Sequence, residues 1–415
     1  MSGLNITSEI GTLRRVILHT PGPEIEAMTP KEAEQDLYND IIPLEAVRRE
    51  YDSLKSFLST VASVYEVTDL LAQAIAPNGN KFEFLKDLAA LCPIRNRMDE
   101  LTALSAPDLA RLTVEGLPAL EKSLSATLDP HAFAVRPLPN TYFMRDSAAV
   151  FGKYVVSCAT AFDVRLIESV VTRFIFQHHP DFMAKGFLLN GPEERSRYIT
   201  IEGGDFLVLG PTTLAVGVSE RSTPDAVERV AVNAARKLGE PVTVVAVQIP
   251  RERATIHLDM VFTLIDRDAC LVYAPVVMDE GRCRAVRIQV QPNGKASFSE
   301  VQGLLPALRS SGYDLEPVLC GDGHRLYQDR EQWLSGANSF AFGPGKIVVY
   351  NCNSYTLEAL TKAGFEYRKA EEFIQGTAKA EDFGRLVVGF DGIELARGGG
   401  GARCMTCPVE RENLA

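Results

Sequence analysis

The feature that most limits how this chain can fold is a recurring unit, a β-hairpin followed by a helix. Residues 206–218 read as two strands about a Gly210-Pro211 turn. Ser222-Thr223-Pro224 then starts a helix that places Val227, Val230, Ala231 and Ala234 on one face, and a strand over 242–249 follows. A second such set runs 260–265, turns at Asp266-Arg267-Asp268 and returns through 270–274. Another pairs 339–342 with 347–350 across Gly343-Pro344-Gly345, and its helix starts near Tyr355 and stops at Gly364. Polar residues flank these units at near-equal intervals: Asp146 and Glu202 are 56 positions apart, Glu202 and His257 are 55. Such a period predicts one supersecondary unit repeated about an axis, with equivalent loops meeting at a shared centre. That geometry would gather Asp146, Glu202, His257, Asp259 and the tail residue Cys404.

The N-terminal part opens in α/β style. Residues 14–19 read as a strand before the Thr20-Pro21-Gly22-Pro23 turn, and Leu44, Val47, Tyr51, Leu54 and Leu58 have helical spacing ahead of a strand over 61–67. Between 69 and 129 Leu, Ala, Lys and Glu dominate, β-branched runs are nearly absent, and Ser105-Ala106-Pro107-Asp108 supplies a helix start. The expected organisation is a catalytic α/β domain of residues 1–68 and 130–415 with an all-helical insertion at 69–129.

With 415 residues and 46% apolar content the chain can bury a large core. It has no membrane-length apolar run and no secretory leader pattern at its start, so the cytoplasm is the expected location. A net charge of -11 argues against a nucleic-acid partner and favours cationic small molecules. Eight cysteines are too few for a disulfide framework, and Cys404 and Cys407 are half a zinc site at most. The glycines before Arg403 lack the spacing of a dinucleotide loop and the Lys-Ser/Thr of a P-loop.

The tail run from Arg397 through four glycines, Ala402, Arg403 and Cys404 joins a backbone able to approach a ligand closely, a cation and a thiol. Cys404 is the leading nucleophile candidate. Carboxylates at Asp146, Glu202, Asp205 and Asp259 could hold a guanidinium by paired, charge-assisted hydrogen bonds. Held so, its central carbon is electrophilic and its charge favours the thiolate. His257 could protonate the departing nitrogen and then activate water.

These residues resemble the arginine deiminases of the guanidino-group modifying (pentein) superfamily. The likeness rests on Ser8-Glu-Ile-Gly-Thr-Leu-Arg-Arg, Leu138-Pro-Asn140-Thr-Tyr-Phe-Met-Arg145-Asp146, Ile201-Glu202-Gly203-Gly204-Asp205, His257-Leu258-Asp259, Gly336-Ala-Asn338-Ser339 and Ala-Arg403-Cys404-Met-Thr, and it spans essentially the whole chain. It implies a five-bladed α/β-propeller of ββαβ units and hydrolysis of L-arginine to L-citrulline and ammonia through an amidino-cysteine. It implies Cys404 as nucleophile, His257 as acid and base, Asp146 and Asp259 as the guanidinium-binding pair, and Glu202 as a further catalytic carboxylate. Asn140, Arg165 and Arg221 are implied contacts of the substrate α-carboxylate, with Asp205 and Arg397 also on the substrate side. No metal or organic cofactor is implied, and the scaffold is one that self-associates.

One departure stands out: the family's tail reads Arg-Gly-Arg before its glycines, and here Gly399 replaces the second arginine while Arg397 remains. Two other activities share this residue set. An amidinotransferase would pass the amidino group to an amine rather than water, and a non-catalytic arginine-binding protein would keep the pocket without turnover.

Overall fold

The computed structural model describes residues 3–279 and 282–414. Five sheets among them share one design, a central strand antiparallel to one neighbour and parallel to the other. Tyr154–Ser157 pairs antiparallel with Ala148–Phe151 and parallel with Phe187–Asn190. Thr213–Val218 stands in the same way between Phe206–Gly210 and Val242–Gln248, and Ala269–Val272 between Phe262–Leu264 and Glu316–Leu319. Lys346–Tyr350 repeats it with Phe340–Gly343 and Leu386–Phe390. A parallel pair needs a crossover. Helices Leu166–His178, Pro224–Leu238 and Ser354–Lys362 lie in three of these connections, on the chain between the two parallel strands.

In the fifth sheet Leu13–Leu18 runs parallel to Ser63–Glu66 through helix Leu44–Val61, and its antiparallel partner, Cys407–Arg411, comes from the other end of the chain. The termini thus complete one unit between them, which closes the ring into a five-bladed α/β-propeller. Closure also carries the loop ahead of Cys407, with Cys404, back to the first strand. Helix Leu44–Val61 buries Val47, Tyr51, Leu54 and Leu58 as its spacing predicts, leaves Leu44 only partly buried, and adds Phe57, which meets Phe342 and Phe373 edge to face.

Residues between Val67 and Leu128 form five helices, the longest being Asn80–Leu91. Ser105 caps Ala106–Glu115, its Oγ accepting from the Asp108 N–H at 3.2 Å. Helices Val67–Ile75 and Asn80–Leu91 pack on Leu166–His178, where Phe84 and Phe174 meet edge to face at 5.1 Å. The segment is not wholly helical: Gly116 ends a helix, and the extended pair Leu117–Pro118 bonds to Phe133–Val135.

A hairpin unforeseen from the sequence, Arg284–Val290 with Ala296–Gln302, leaves the third connection and pairs with Val242–Gln248 of the neighbouring sheet, tying two blades together. No helix among the described residues is long and apolar enough to cross a membrane.

Candidate active site

The loop after helix Ile393–Arg397 carries Cys404 to the ring centre, and Asn338 fastens it there. Asn338 Oδ1 accepts from the backbone N–H groups of Arg403 and Cys404 at 3.0 and 3.3 Å, while its Nδ2 donates to the Asp259 carbonyl at 3.0 Å. A Cβ on Gly401 would stand 2.6 Å from that Asn338 oxygen, so glycine is what lets the loop lie this close. Cys404 Sγ then sits 3.9 Å from Asp259 Oδ2 and 3.9 Å from Met260 Sδ.

Arg403 points the opposite way into the protein. Nη1 donates to Asp259 Oδ2 at 2.8 Å, Nε to Glu9 Oε2 at 3.1 Å and Nη2 to the Phe206 carbonyl at 2.8 Å. Each donor direction of the planar cation is used, so one residue joins the cysteine loop, the N-terminal segment and the Asp259 carboxylate. Burial pushes the Glu9 carboxyl up, but the Arg403 and Arg145 cations outweigh it and hold its pKa at about 2. For Asp259 burial prevails over Arg403, and its pKa stands above the ordinary value.

His257, itself extended, lies between the short 3₁₀ turns Arg253–Thr255 and Leu258–Met260, where it is nearly inaccessible. Its Nε2 lies 2.8 Å from Glu202 Oε2, the oxygen that also accepts from Arg221 Nη1 at 3.1 Å. Its Nδ1 faces Asp146 Oδ1 at 3.7 Å, a charge contact too long for a hydrogen bond. Burial pulls the imidazolium pKa down, yet Asp146, the Glu202 hydrogen bond and Asp205 raise it to about 9. Glu202 is drawn below the carboxylate range, since Arg221 and His257 together outweigh its burial. The Cys404 thiol is pushed well up by burial and by the Asp259 and Asp146 charges. At neutral pH these shifts favour a protonated sulfur beside a charged imidazolium.

Three buried atoms around this sulfur and imidazole have no hydrogen-bond partner among the described residues: Asp146 Oδ1, Asp259 Oδ1 and His257 Nδ1. Folded proteins rarely strand such groups, so two acceptors and an imidazolium N–H clustered without partners mark where a polar ligand belongs. Asp146, Glu202 and His257 also offer ligand atoms within 4.8 Å of one another, a spacing a metal ion could bridge. Arg165 and Arg221 already pair with those two carboxylates, and a divalent cation would have to sit against both guanidinium groups.

The structure thus brings Cys404, His257, Glu202, Asp146 and Asp259 together. Asp205 lies beneath them and supports the geometry: Oδ2 accepts from Ser219 and Ser222 hydroxyls at 2.6 Å each, and Oδ1 from the Leu258 N–H at 2.8 Å. Arg165 is buried against Asp146 (2.5 Å) and Glu168 (2.7 Å) and also donates to the Asn140 and Phe143 carbonyls. Asn140 Nδ2 donates to the Asp36 carbonyl at 2.8 Å. Arg397 stands at the rim, half-buried, donating to Asp40 and Glu394 at 2.5 Å each. Sequence reasoning gave no role to Glu9, Glu168, Asn338 or Arg253. Glu9 and Asn338 lie inside the motifs that carry the family resemblance, which was the signal available for them.

Comparison with known proteins bears on this arrangement. Residues 35–411 match the family model for arginine deiminase. The chain is 33% identical over 432 residues to the arginine deiminase of Limosilactobacillus fermentum and 33% over 437 residues to that of Treponema denticola, covering all of both chains in each case. Among solved structures it resembles SxtG, an amidinotransferase from Microseira wollei (TM-score 0.57, 11% identity, 99% of this chain and 98% of that one). It also resembles the N-terminal domain of ArgZ bound covalently to a reaction intermediate (TM-score 0.52, 14% identity, 97% and 99% covered). Those two likenesses speak for the pentein fold alone. The family match and the full-length relatives speak for more: this chain belongs to the arginine deiminase family.

Proposed function

We propose that this protein hydrolyses L-arginine to L-citrulline and ammonia, and that the stranded acceptors Asp146 Oδ1 and Asp259 Oδ1 beside Cys404 are what receive the substrate guanidinium. Five N–H donors on a planar cation match carboxylates on two sides. The chemistry follows from charge. Burial and two carboxylates keep the thiol protonated in the free enzyme, and a bound guanidinium offsets the carboxylate charge, so ionisation of Cys404 and arrival of the electrophile are coupled.

As the guanidinium binds, the Cys404 thiol releases its proton to solvent, and the thiolate attacks the guanidinium carbon to give a tetrahedral adduct. His257, charged at neutral pH, donates a proton to the departing nitrogen, which leaves as ammonia, and a planar amidino-cysteine remains. The now neutral imidazole takes a proton from water, whose oxygen attacks the same carbon; collapse expels the thiolate, which takes up the hydroxyl proton, and yields citrulline. Glu202 keeps His257 oriented and favours its charged form. With water as acceptor no amine is needed, which distinguishes this reaction from amidino transfer.

On this reading the catalytic domain is 1–68 and 130–415, with 69–129 inserted. All eight cysteines are free thiols, as suits a reducing compartment, which supports the cytoplasm as the place of the reaction. The test is direct: purified protein given L-arginine alone should release citrulline and ammonia in equal amounts. Release only after an amine is added, or arginine binding without product, would favour transfer or a non-catalytic binder.

A further inference from the structure

Beside the buried site lies a cleft of about 210 Å³ lined by Tyr38, Phe162, Arg221 and Arg253 among others. Arg221 spans the wall between the two: its Nη1 reaches Glu202, the partner of His257, while its guanidinium stacks on Phe162 at 4.8 Å. If the substrate guanidinium occupies the buried end, its amino-acid end projects toward this cleft.

The cleft has cations with capacity to spare. Arg165 spends Nε, Nη1 and Nη2 on Glu168, Asp146 and two carbonyls, and Asn140 spends its amide on Asp36. Arg221 Nε, by contrast, is buried with no partner among the described residues. Among the described residues Arg253 meets only a neutral group by hydrogen bond: with the Asn39 amide turned so that its oxygen faces the guanidinium, that oxygen accepts from Nε at 2.9 Å and Nη2 at 3.2 Å. Partial burial and the adjacent Arg221 charge press the Arg253 pKa below the usual guanidinium range, outweighing the opposite pull of Tyr38 and of Glu220 on the cleft wall.

The tail loop makes room for this side chain. Gly399 has φ +94°, and a Cβ there would lie 2.8 Å from Arg253 Nη2. A residue with a side chain at 399 would meet both backbone strain and the guanidinium; glycine lets Arg253 lie across the loop.

We propose that Arg253, paired with Arg221, is a specificity-determining residue that binds the α-carboxylate of the substrate. The inference rests on the arginine hydrolysis argued above. Two guanidinium groups converging on one carboxylate give a charge-assisted, orienting grip, and a guanidino compound without that carboxylate leaves them repelling each other.

The test compares the wild type with Arg253→Ala and Arg253→Lys, reading KM and kcat for L-arginine and the inhibition constant of agmatine, which lacks the carboxylate. Arg253→Ala should raise KM for L-arginine about 10- to 100-fold, the loss expected for a charged hydrogen bond, with kcat nearly unchanged. Agmatine inhibition should not weaken, and Arg253→Lys should recover part of the loss. An unchanged KM, or agmatine weakened by the same factor as L-arginine, overturns the assignment. Should the wild type release no citrulline, hydrolysis itself is refuted; calorimetric affinities for L-arginine and agmatine then replace KM, and the same ratios support or overturn the role of Arg253.

Discussion

Asp259 Oδ2 is shared by two consecutive residues of the tail: it accepts from Arg403 Nη1 at 2.8 Å and lies 3.9 Å from Cys404 Sγ. The carboxylate is thereby fixed by one residue and faces the reacting sulfur of the next. Its second oxygen has no partner among the described residues and is the acceptor that the proposed mechanism assigns to the guanidinium.

Removing either carboxylate charge should uncouple sulfur ionisation from substrate arrival. Asp259→Asn is expected to lower the pH at which iodoacetamide alkylates Cys404 in the free enzyme, because a neighbouring anion that raises the thiol pKa is gone. The same variant should lose about 100-fold or more in kcat/KM, since the cation loses a charged acceptor. Alkylation profiles and steady-state rates check the two halves separately.

His257 sets the alkaline limit. Its folded pKa of about 9 lies above the ordinary 6.5, so the stability it contributes is complete below pH 6.5 and is lost as pH rises through 9. Proton donation to the leaving nitrogen fails over the same upper range, and kcat should fall above about pH 9. Glu202→Gln removes the carboxylate that holds the proton, so the limb should move toward 6.5 in a kcat–pH profile.

The recurring hairpins and the equal spacing of Asp146, Glu202 and His257 were readable because local periodicity and turn residues encode them. Cys404 was readable from its glycines and arginine. Asp205 looked like one more carboxylate for the substrate, and its use in holding Ser219, Ser222 and Leu258 appears only once the chain is folded. Glu9 and Arg403 are 394 positions apart, and Arg253 and Asn39 are brought together from different segments, so no window of sequence contains either contact. The same is true of strand Cys407–Arg411, whose partner is the first strand of the chain, and of the Arg284–Val290 hairpin, whose partner is a neighbouring blade.

Glu9 is the buried counter-ion of the tail loop. Its folded pKa of about 2 lies below the ordinary 4.5, so its contribution to stability is present above pH 4.5 and is lost as pH falls toward 2. Glu9→Gln should destabilise the protein by about 3–5 kcal/mol at neutral pH, the cost of leaving a buried charge without its partner. Melting curves for the two proteins should converge as the pH is lowered.

The helical segment offers a control remote from the site. Ser105→Ala removes the cap on Ala106–Glu115 and should destabilise that helix by about 1 kcal/mol. Amide exchange should quicken within the helix while kcat and KM for L-arginine stay at wild-type values.

The most direct measurement is peptide mapping by mass spectrometry after acid-quenching the protein during turnover of L-arginine. An amidino adduct on the peptide containing Cys404, absent from Cys404→Ala, which should also lose activity by on the order of 10⁴-fold or more, is the predicted result. Citrulline formation by Cys404→Ala at the wild-type rate, or an adduct on Cys158 or Cys407 instead, would contradict it.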